Sequence, residues 1–464
     1  MVAIEVLDRT PDWDRLVCAH QWGVRSTPRL GQRVVEPPLG LGAPCWSPDP
    51  GFDLHAHLRR IRLCPSDGWP QLLEATARWA LQPLDRRRPP WEAVLCDGLP
   101  EGRCAYLIKL HHSVADGLSA GRIVEQLHSR TRTDDPRPAH LTADRRHPGP
   151  ATPPVRPRSG VDALVAQLQR DASLAPWALR TAGAGAGSAL RDPLGWLSRA
   201  TGYGMSLTRT LSPPDARPSP LLAGRGGGWR FATLDVALPA LRAAAKAAGA
   251  TVNDAYLAAL LGGYRLYSTS MGVEVETIPM GVPLALRRGH GETGGNRIAG
   301  ARVSAPVGIR DPRARIQAIR ALILAARQEP AIDTIGLLAP MMARLPGPVI
   351  ARLVAPSTSG NDLQASYVPG PRDERYLAGA RVERVYPFAP LPGCPAMITL
   401  VTHGDVGCVG INYDPSAITE PAHFLRCLTE GFAEVLALQP RSVPPVRVPG
   451  PRRPVASPVP FSVL

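Results

Sequence analysis

Lysine is almost missing from this chain. Only Lys109 and Lys246 occur among 53 basic residues, so arginine carries nearly all of the formal charge of +14. Beside abundant Ala, Gly and Pro, that preference is what GC-rich coding gives, so the charge alone names no partner. A basic surface still suits anionic lipid headgroups or a polyphosphate ligand. Lys/Arg runs interleaved with aromatics, zinc-finger spacing and RNA-binding signatures are absent, and nucleic acid is not expected as a partner. Cysteine is sparse. The eight are Cys18, Cys45, Cys64, Cys96, Cys104, Cys394, Cys408 and Cys427, with no C-x-x-C pair. This argues against a zinc site and a disulfide framework alike. No apolar run approaches the ~18 residues of a membrane-spanning helix. The start, MVAIEVLDRTPDWDRLV, has three acidic residues by position 12 and no apolar stretch of the secretory kind. These absences point to a soluble protein of a reducing compartment, placed in the cytoplasm, with no metal.

What is present suffices for folded cores. The chain has 464 residues, 44% of them apolar, which suggests about two domains. LLEATARWAL (Leu72–Leu81) has helical spacing. CAYLIKLHH (Cys104–His112) alternates like a strand, with Tyr106, Ile108 and Leu110 on one side and Leu107, Lys109 and His111 on the other. LSAGRIVEQLH (Leu118–His128) returns to helical spacing. Residues 130–160 are rich in Pro and charge without periodicity and read as a flexible connection. Val161–Leu211 reads as helices broken by Gly183–Gly187, which lacks dinucleotide-loop spacing. The expected division is a first domain over 1–215, a second over 216–438 and a disordered Pro-rich tail over 439–464.

The chemistry concentrates in LHHSVADGLS (Leu110–Ser119). A histidine with an ordinary pKa near 6.5 can take and return a proton at neutral pH, and a general base is worth roughly 10²–10⁴ in rate. Asp116 is positioned to hold an imidazole or its loop, and Gly117 to permit a tight turn into the next helix. Each residue also has a plainer reading: Asp116 as an N-cap, His111 as a core histidine. The combination carries more weight, because a chance H-H-x-x-x-D-G in this composition is on the order of one in a thousand. A second feature is TVNDAYLAALLGGYRLY (Thr251–Tyr267), which opens with a capping-box pattern. The cap reading is preferred for Asp254. Asn253 falls in the first turn, where free N–H groups collect, and an amide there can help hold an oxyanion. No nucleophile elbow or phosphate loop occurs. His55 and His57 would share a strand face but lack a third metal ligand nearby. His290 and His403 read as surface or packing residues.

With those residues in view, HHSVADG is similar to the H-H-x-x-x-D-G motif of CoA-dependent acyltransferases. More closely, the chain resembles the bacterial wax ester synthase/diacylglycerol acyltransferase family over most of residues 1–438. The match includes PRLGQRVVEPPLGLGAPCW (Pro28–Trp46), FDLHAHLRR (Phe52–Arg60) and PLDRRRPPWE (Pro83–Glu92). It continues through TVNDAYLAAL, PMGVPLALR (Pro279–Arg287), Asn296, and VPGP–YLAGARV (Val368–Val382). The resemblance implies an α/β fold of two chloramphenicol-acetyltransferase-like domains with an active-site tunnel between them. It implies His112 as general base, His111 and Asp116 as shaping and supporting residues, and Asn253 as part of an Asn-Asp motif. The implied reaction moves a fatty acyl group from acyl-CoA, a co-substrate, to diacylglycerol or a long-chain alcohol, with no cofactor.

Three departures stand out. Family members carry a further segment before the region matching Met1. Pro90 replaces the leucine of Pro-Leu-Trp, and Tyr367 stands where Ser-Asn-Val-Pro-Gly-Pro has asparagine. Two rival readings share the motif or the fold: a peptide-synthetase condensation domain, and a non-catalytic lipid-binding homologue. IGLLAPMMARLPGPVIARLV (Ile335–Val354) reads as core helices broken at proline, with peripheral contact to a membrane or lipid droplet as the alternative.

Overall fold

The computed structural model describes residues 1–38, 44–64, 68–134, 191–211, 215–285, 298–329, 347–354 and 360–438, with short pieces between 159 and 169 and Leu345. Gly183–Gly187, His290, Asn296, most of the Pro-rich connection and the tail lie outside the described residues. The first half supplies β1 (Val2–Leu7), α1 (Trp13–Ser26), β2 (Gln32–Val35), β3 (Cys45–Pro48), β4 (Leu58–Arg62) and α2 (Trp69–Leu81). β5 (Trp91–Asp97), β6 (Cys104–Leu110), α3 (Gly117–Glu125) and β7 (His128–Ser129) follow. After α4 (Pro193–Leu211) come β8 (Arg230–Ala237), α5 (Leu238–Ala247), α6 (Val252–Ser270), β9 (Thr277–Ala285), β10 (Ile298–Pro306) and α7 (Pro312–Gln328). The last part holds α8 (Gly347–Val354), β11 (Leu363–Val368), β12 (Tyr376–Leu377), β13 (Ala380–Phe388), β14 (Ala396–His403), β15 (Val406–Tyr413) and α9 (Pro421–Leu436).

These strands form two main sheets. One runs β4-β5-β6-β1-β13-β12-β7, the other β10-β9-β11-β14-β15-β8, and β2 pairs β3 apart from both. β1 is central in the first sheet, antiparallel to β6 on one side and to β13 on the other. β12 and β13 therefore belong to the first sheet although they lie in the second half of the chain.

β6 shows why its sequence makes a central strand. Every residue of it is buried. Tyr106, Ile108 and Leu110 pack with Leu16 of α1 and Ile123 and Val124 of α3. Ala105 and Leu107 pack on the opposite face with Leu72 and Leu73 of α2, and with Phe231 and Phe388. Lys109 shares that second face, and its ammonium caps the end of α2 by donating to the carbonyls of Trp79 (2.9 Å) and Gln82 (2.6 Å).

Two glycines set how closely elements approach. A Cβ on Gly431 of α9 would lie 2.3 Å from Ala259 O and Gly263 N of α6, so these helices meet backbone to backbone. A Cβ on Gly410 of β15 would lie 1.8 Å from Pro387 O of β13, where the two sheets cross. Beside that crossing Phe231 stacks on Phe388 at 4.0 Å, and Asp235 accepts from Tyr386 Oη (2.7 Å) and Arg384 Nε (2.8 Å). Across α6, α7 and α9, fully buried Arg315 donates to Ala258 O (2.8 Å) and Glu434 Oε2 (2.7 Å), while Arg265 takes the other Glu434 oxygen.

Candidate active site

β6 stops at Leu110, so His111 and His112 stand just past the strand and not within it. Its neighbour explains the end. Leu110 pairs with Trp91, the first residue of β5, and before Trp91 come Pro89 and Pro90. The Pro90 carbonyl accepts the His111 N–H at 3.0 Å, but proline has no N–H to return and the ladder cannot continue. Only the carbonyl is used here, so proline serves this hydrogen bond as well as the leucine it replaces. Tyr367, the other departure, packs against the core of the second sheet from β11.

The chain then turns sharply. The Val114 N–H donates to the His111 carbonyl at 3.0 Å, and Arg29 donates to the Val114 carbonyl at 3.3 Å while lying over the Trp46 ring at 5.5 Å. Asp116 is 4% exposed, and its Oδ1 accepts the Ser119 N–H at 2.7 Å, capping α3. The cap reading of Asp116 is thus correct for its geometry. Gly117 has no left-handed backbone, contrary to the expected tight turn. A Cβ there would meet Val368 Cγ2, at the last residue of β11, at an ordinary contact distance of 3.6 Å. The histidine turn of the first sheet therefore abuts the end of a strand of the second. There Gly370 donates its N–H to Thr402 Oγ1 at 2.8 Å, fixing the VPGP segment.

Alternation offered a core position as the plainer reading of His111. Its ring is instead exposed, because the strand has ended, and its Nδ1 accepts the Ser113 N–H at 3.2 Å with Ser113 Oγ at 2.8 Å. That bond assigns the proton of neutral His111 to Nε2. His112 is also solvent-accessible, and no described residue hydrogen-bonds its ring. Protein crowding, then the Met1 amino group and His111, lower its pKa below the usual histidine value, with Asp116 opposing. These effects favour the neutral ring of His112, which has a nitrogen able to accept a proton.

Asn253 is the second residue of α6 and half-buried. Thr251 and Asp254 form the expected reciprocal cap, with Asp254 Oδ2 accepting the Thr251 N–H at 2.9 Å. No hydrogen bond among the described residues joins Asn253 to His112. His55 and His57 do not share a strand face. They flank Ala56 at the end of a 3₁₀ turn, His55 outward and His57 buried against Trp91 at 4.7 Å. His403 is a packing residue, its Nε2 donating to Val382 O at 2.8 Å. Among the described residues no group of three His, Cys, Asp or Glu is arranged to hold a metal ion. Arg29 and Ser113 were not singled out in the sequence; the only signal for Arg29 was its place in the Pro28–Trp46 stretch.

A family model described as the wax ester synthase/diacylglycerol acyltransferase catalytic domain matches residues 3–256, and that of the WS/DGAT C-terminal domain matches 294–435. The chain belongs to this family. A Mycobacterium tuberculosis protein named a diacylglycerol O-acyltransferase is 38% identical over 94% of this chain and 88% of its own length. The M. tuberculosis protein tgs2, named likewise, is 32% identical over 80% of this chain and 79% of its own. The structure of the wax ester synthase/diacylglycerol acyltransferase from Marinobacter aquaeolei VT8 superposes with a TM-score of 0.58 at 22% identity, covering 94% of this chain and 93% of that one. The first condensation domain of the calcium-dependent antibiotic synthetase gives 0.56 at 18% identity, covering 94% and 90%. These two structures share the mixed α/β fold. The family match selects the WS/DGAT reading, with O-acyl transfer as its activity, over the condensation domain that has the same architecture.

Proposed function

We propose that this WS/DGAT member transfers a fatty acyl group from acyl-CoA to the hydroxyl of diacylglycerol or a long-chain alcohol, with His112 as general base. The observation that carries this reading is the position of His112, its ring accessible and not hydrogen-bonded by any described residue, on the turn where the first sheet meets the end of β11. The hydroxyl proton passes to His112 as the oxygen attacks the thioester carbon. The resulting imidazolium then protonates the departing CoA sulfur as the C–S bond breaks, which leaves the histidine neutral again. No covalent acyl-enzyme and no cofactor enters this scheme. Asn253, at the positive end of α6, is the proposed donor to the developing oxyanion. Asp116 and Arg29 hold the turn, and the Asp116 charge favours the imidazolium formed midway. The tunnel serving both substrates runs between the two sheets in this proposal.

The acceptors are lipids, so the protein is proposed to work in the cytoplasm at the surface of a membrane or lipid droplet. No helix among the described residues is long and apolar enough to cross a membrane. Exposed apolar side chains support peripheral contact: Leu194 (81% exposed) and Trp196 (42%) on α4, and Val349 on α8. The α8 residues fall within the Ile335–Val354 segment, most of which is outside the described residues.

The test is acyl transfer by purified protein from palmitoyl-CoA to dioleoylglycerol or hexadecanol, with resolved lipid products and folded His112→Ala in parallel. Product from the wild type alone supports the base assignment and names the acceptor. Equal product from both proteins refutes His112 as the base. No product from well-folded wild type refutes the activity. Vesicle flotation with Leu194→Ser/Trp196→Ser tests the surface contact, and unchanged binding refutes it.

A further inference from the structure

The first sheet carries an arginine cluster that the proposed chemistry does not use. Asp85-Arg86-Arg87-Arg88 forms a tight turn just before β5, with Asp85 Oδ1 accepting the Arg87 N–H at 2.9 Å and Asp85 O accepting the Arg88 N–H at 3.2 Å. All three arginines are exposed. Their ion pairs are loose: Arg86 lies 3.5 Å from Glu36 and Arg88 lies 3.7 Å from Asp85, both in solvent. Arg87 has no carboxylate partner among the described residues. The turn nonetheless has a fixed place, because two residues after Arg88 the Pro90 carbonyl accepts the N–H of His111. Four residues span at most about 14 Å, so Arg86 to Arg88 all lie within that reach of the histidine turn. The field of Arg86 is felt at His111, where, after partial burial and the Met1 amino group, it disfavours the protonated ring.

Three cations with weak or no neutralisation, held one turn from the reacting histidine, fit the part of a substrate that is strongly anionic and remote from the reacting bond. We infer that the Arg86–Arg88 turn docks the phosphates of acyl-CoA, leaving the pantetheine arm to carry the thioester to His112. This rests on the acyl-transfer reading above for the identity of the polyphosphate. Guanidinium groups donate in a planar fork that matches phosphate oxygens, so the contact adds orientation as well as attraction. Because all three side chains are in water, the attraction is screened by salt.

The test is calorimetric binding of free CoA and of pantetheine, which lacks the phosphates, to the wild type and to R86Q/R87Q/R88Q, with R87E as a single-site control. The exposed ion pairs lost in these variants contribute little to stability, and thermal melting checks that both remain folded. The triple variant is expected to bind CoA at least about tenfold more weakly, with pantetheine binding changed by less than about twofold. The wild-type CoA affinity should fall with added salt and the variant's should not. Unchanged CoA affinity, or equal losses for CoA and pantetheine, overturns the inference. Retained CoA affinity with lost binding to phosphatidylglycerol vesicles also overturns it and gives the cations to lipid headgroups. Arginine-dependent CoA binding by a wild type that transfers no acyl group would instead overturn the proposed reaction and keep the docking turn.

Discussion

His20 offers the sharpest test of the physics beneath the site. Its ring is buried between Trp91, stacked at 6.1 Å, and Tyr106, with ring centres 5.6 Å apart. Nδ1 lies 2.8 Å from the Leu16 carbonyl, so it carries the proton, and Nε2 accepts from Tyr106 Oη at 2.8 Å. A second proton on Nε2 would face an oxygen that is already donating, in a site closed to water. Burial is the main cause that brings the pKa down from 6.5 to about 4, against the opposing Leu16 carbonyl and Glu5. Each tenfold change in proton affinity is worth ~1.36 kcal/mol, so the difference amounts to about 3 kcal/mol. The folded value is the lower one. Below pH ~6.5 the unfolded chain therefore binds the proton first, and the stability present above that pH is lost as pH falls toward the folded value. Urea unfolding of the wild type and His20→Gln at pH 7.5 and 4.5 measures it. The wild type should lose roughly 2–3 kcal/mol more than the variant over this range, while His57 and His403, also depressed by burial, act equally in both. Equal losses in the two proteins, or an NMR titration of His20 near 6.5 in the folded state, would refute the reasoning.

Two further outcomes follow from the same structure. Glu434→Ala leaves the buried Arg315 guanidinium without its carboxylate; with Glu434 28% exposed, the cost should be about 3 kcal/mol, the low end for a broken buried pair, seen as a lower denaturation midpoint. A loss under about 1 kcal/mol would remove this pair from what holds α6, α7 and α9 together. For catalysis, kcat/KM should rise with pH and level off with an apparent pKa below ~6.5, because the His112 value is lowered mainly by partial burial. A midpoint near or above ~7 would mean that His112 is not the titrating base.

Local features were legible in the chain. The alternation of Cys104–Leu110, the caps at Asp116 and Thr251, and the spacing of α2, α3 and α6 depend on neighbours within a few residues, and periodicity reports those directly. H-H-x-x-x-D-G with its ordered flanking stretches was enough to reach the family. The error at His111 has a non-local cause. The strand ends because a proline pair on the adjacent strand removes the donors its ladder needs, and nothing in CAYLIKLHH encodes what lies beside it. Gly117 was assigned a backbone role from its residue type, whereas its backbone is not left-handed and it lies at ordinary contact distance from Val368.

What the sequence by itself determined is the chemistry and its local frame: a histidine pair at the end of a buried strand, a capped helix behind it, and the family these features belong to. Only the tertiary structure decided where that base stands. β13 leaves the second half of the chain to pair with β1, β15 passes it at Gly410, and the end of β11 comes to rest against Gly117. The first and last of those meetings join residues hundreds of positions apart, through hydrogen-bond register and side-chain contact. Such pairings follow from the whole packed arrangement, because a strand's period fixes which side chains face a core and leaves open which strand lies next to it.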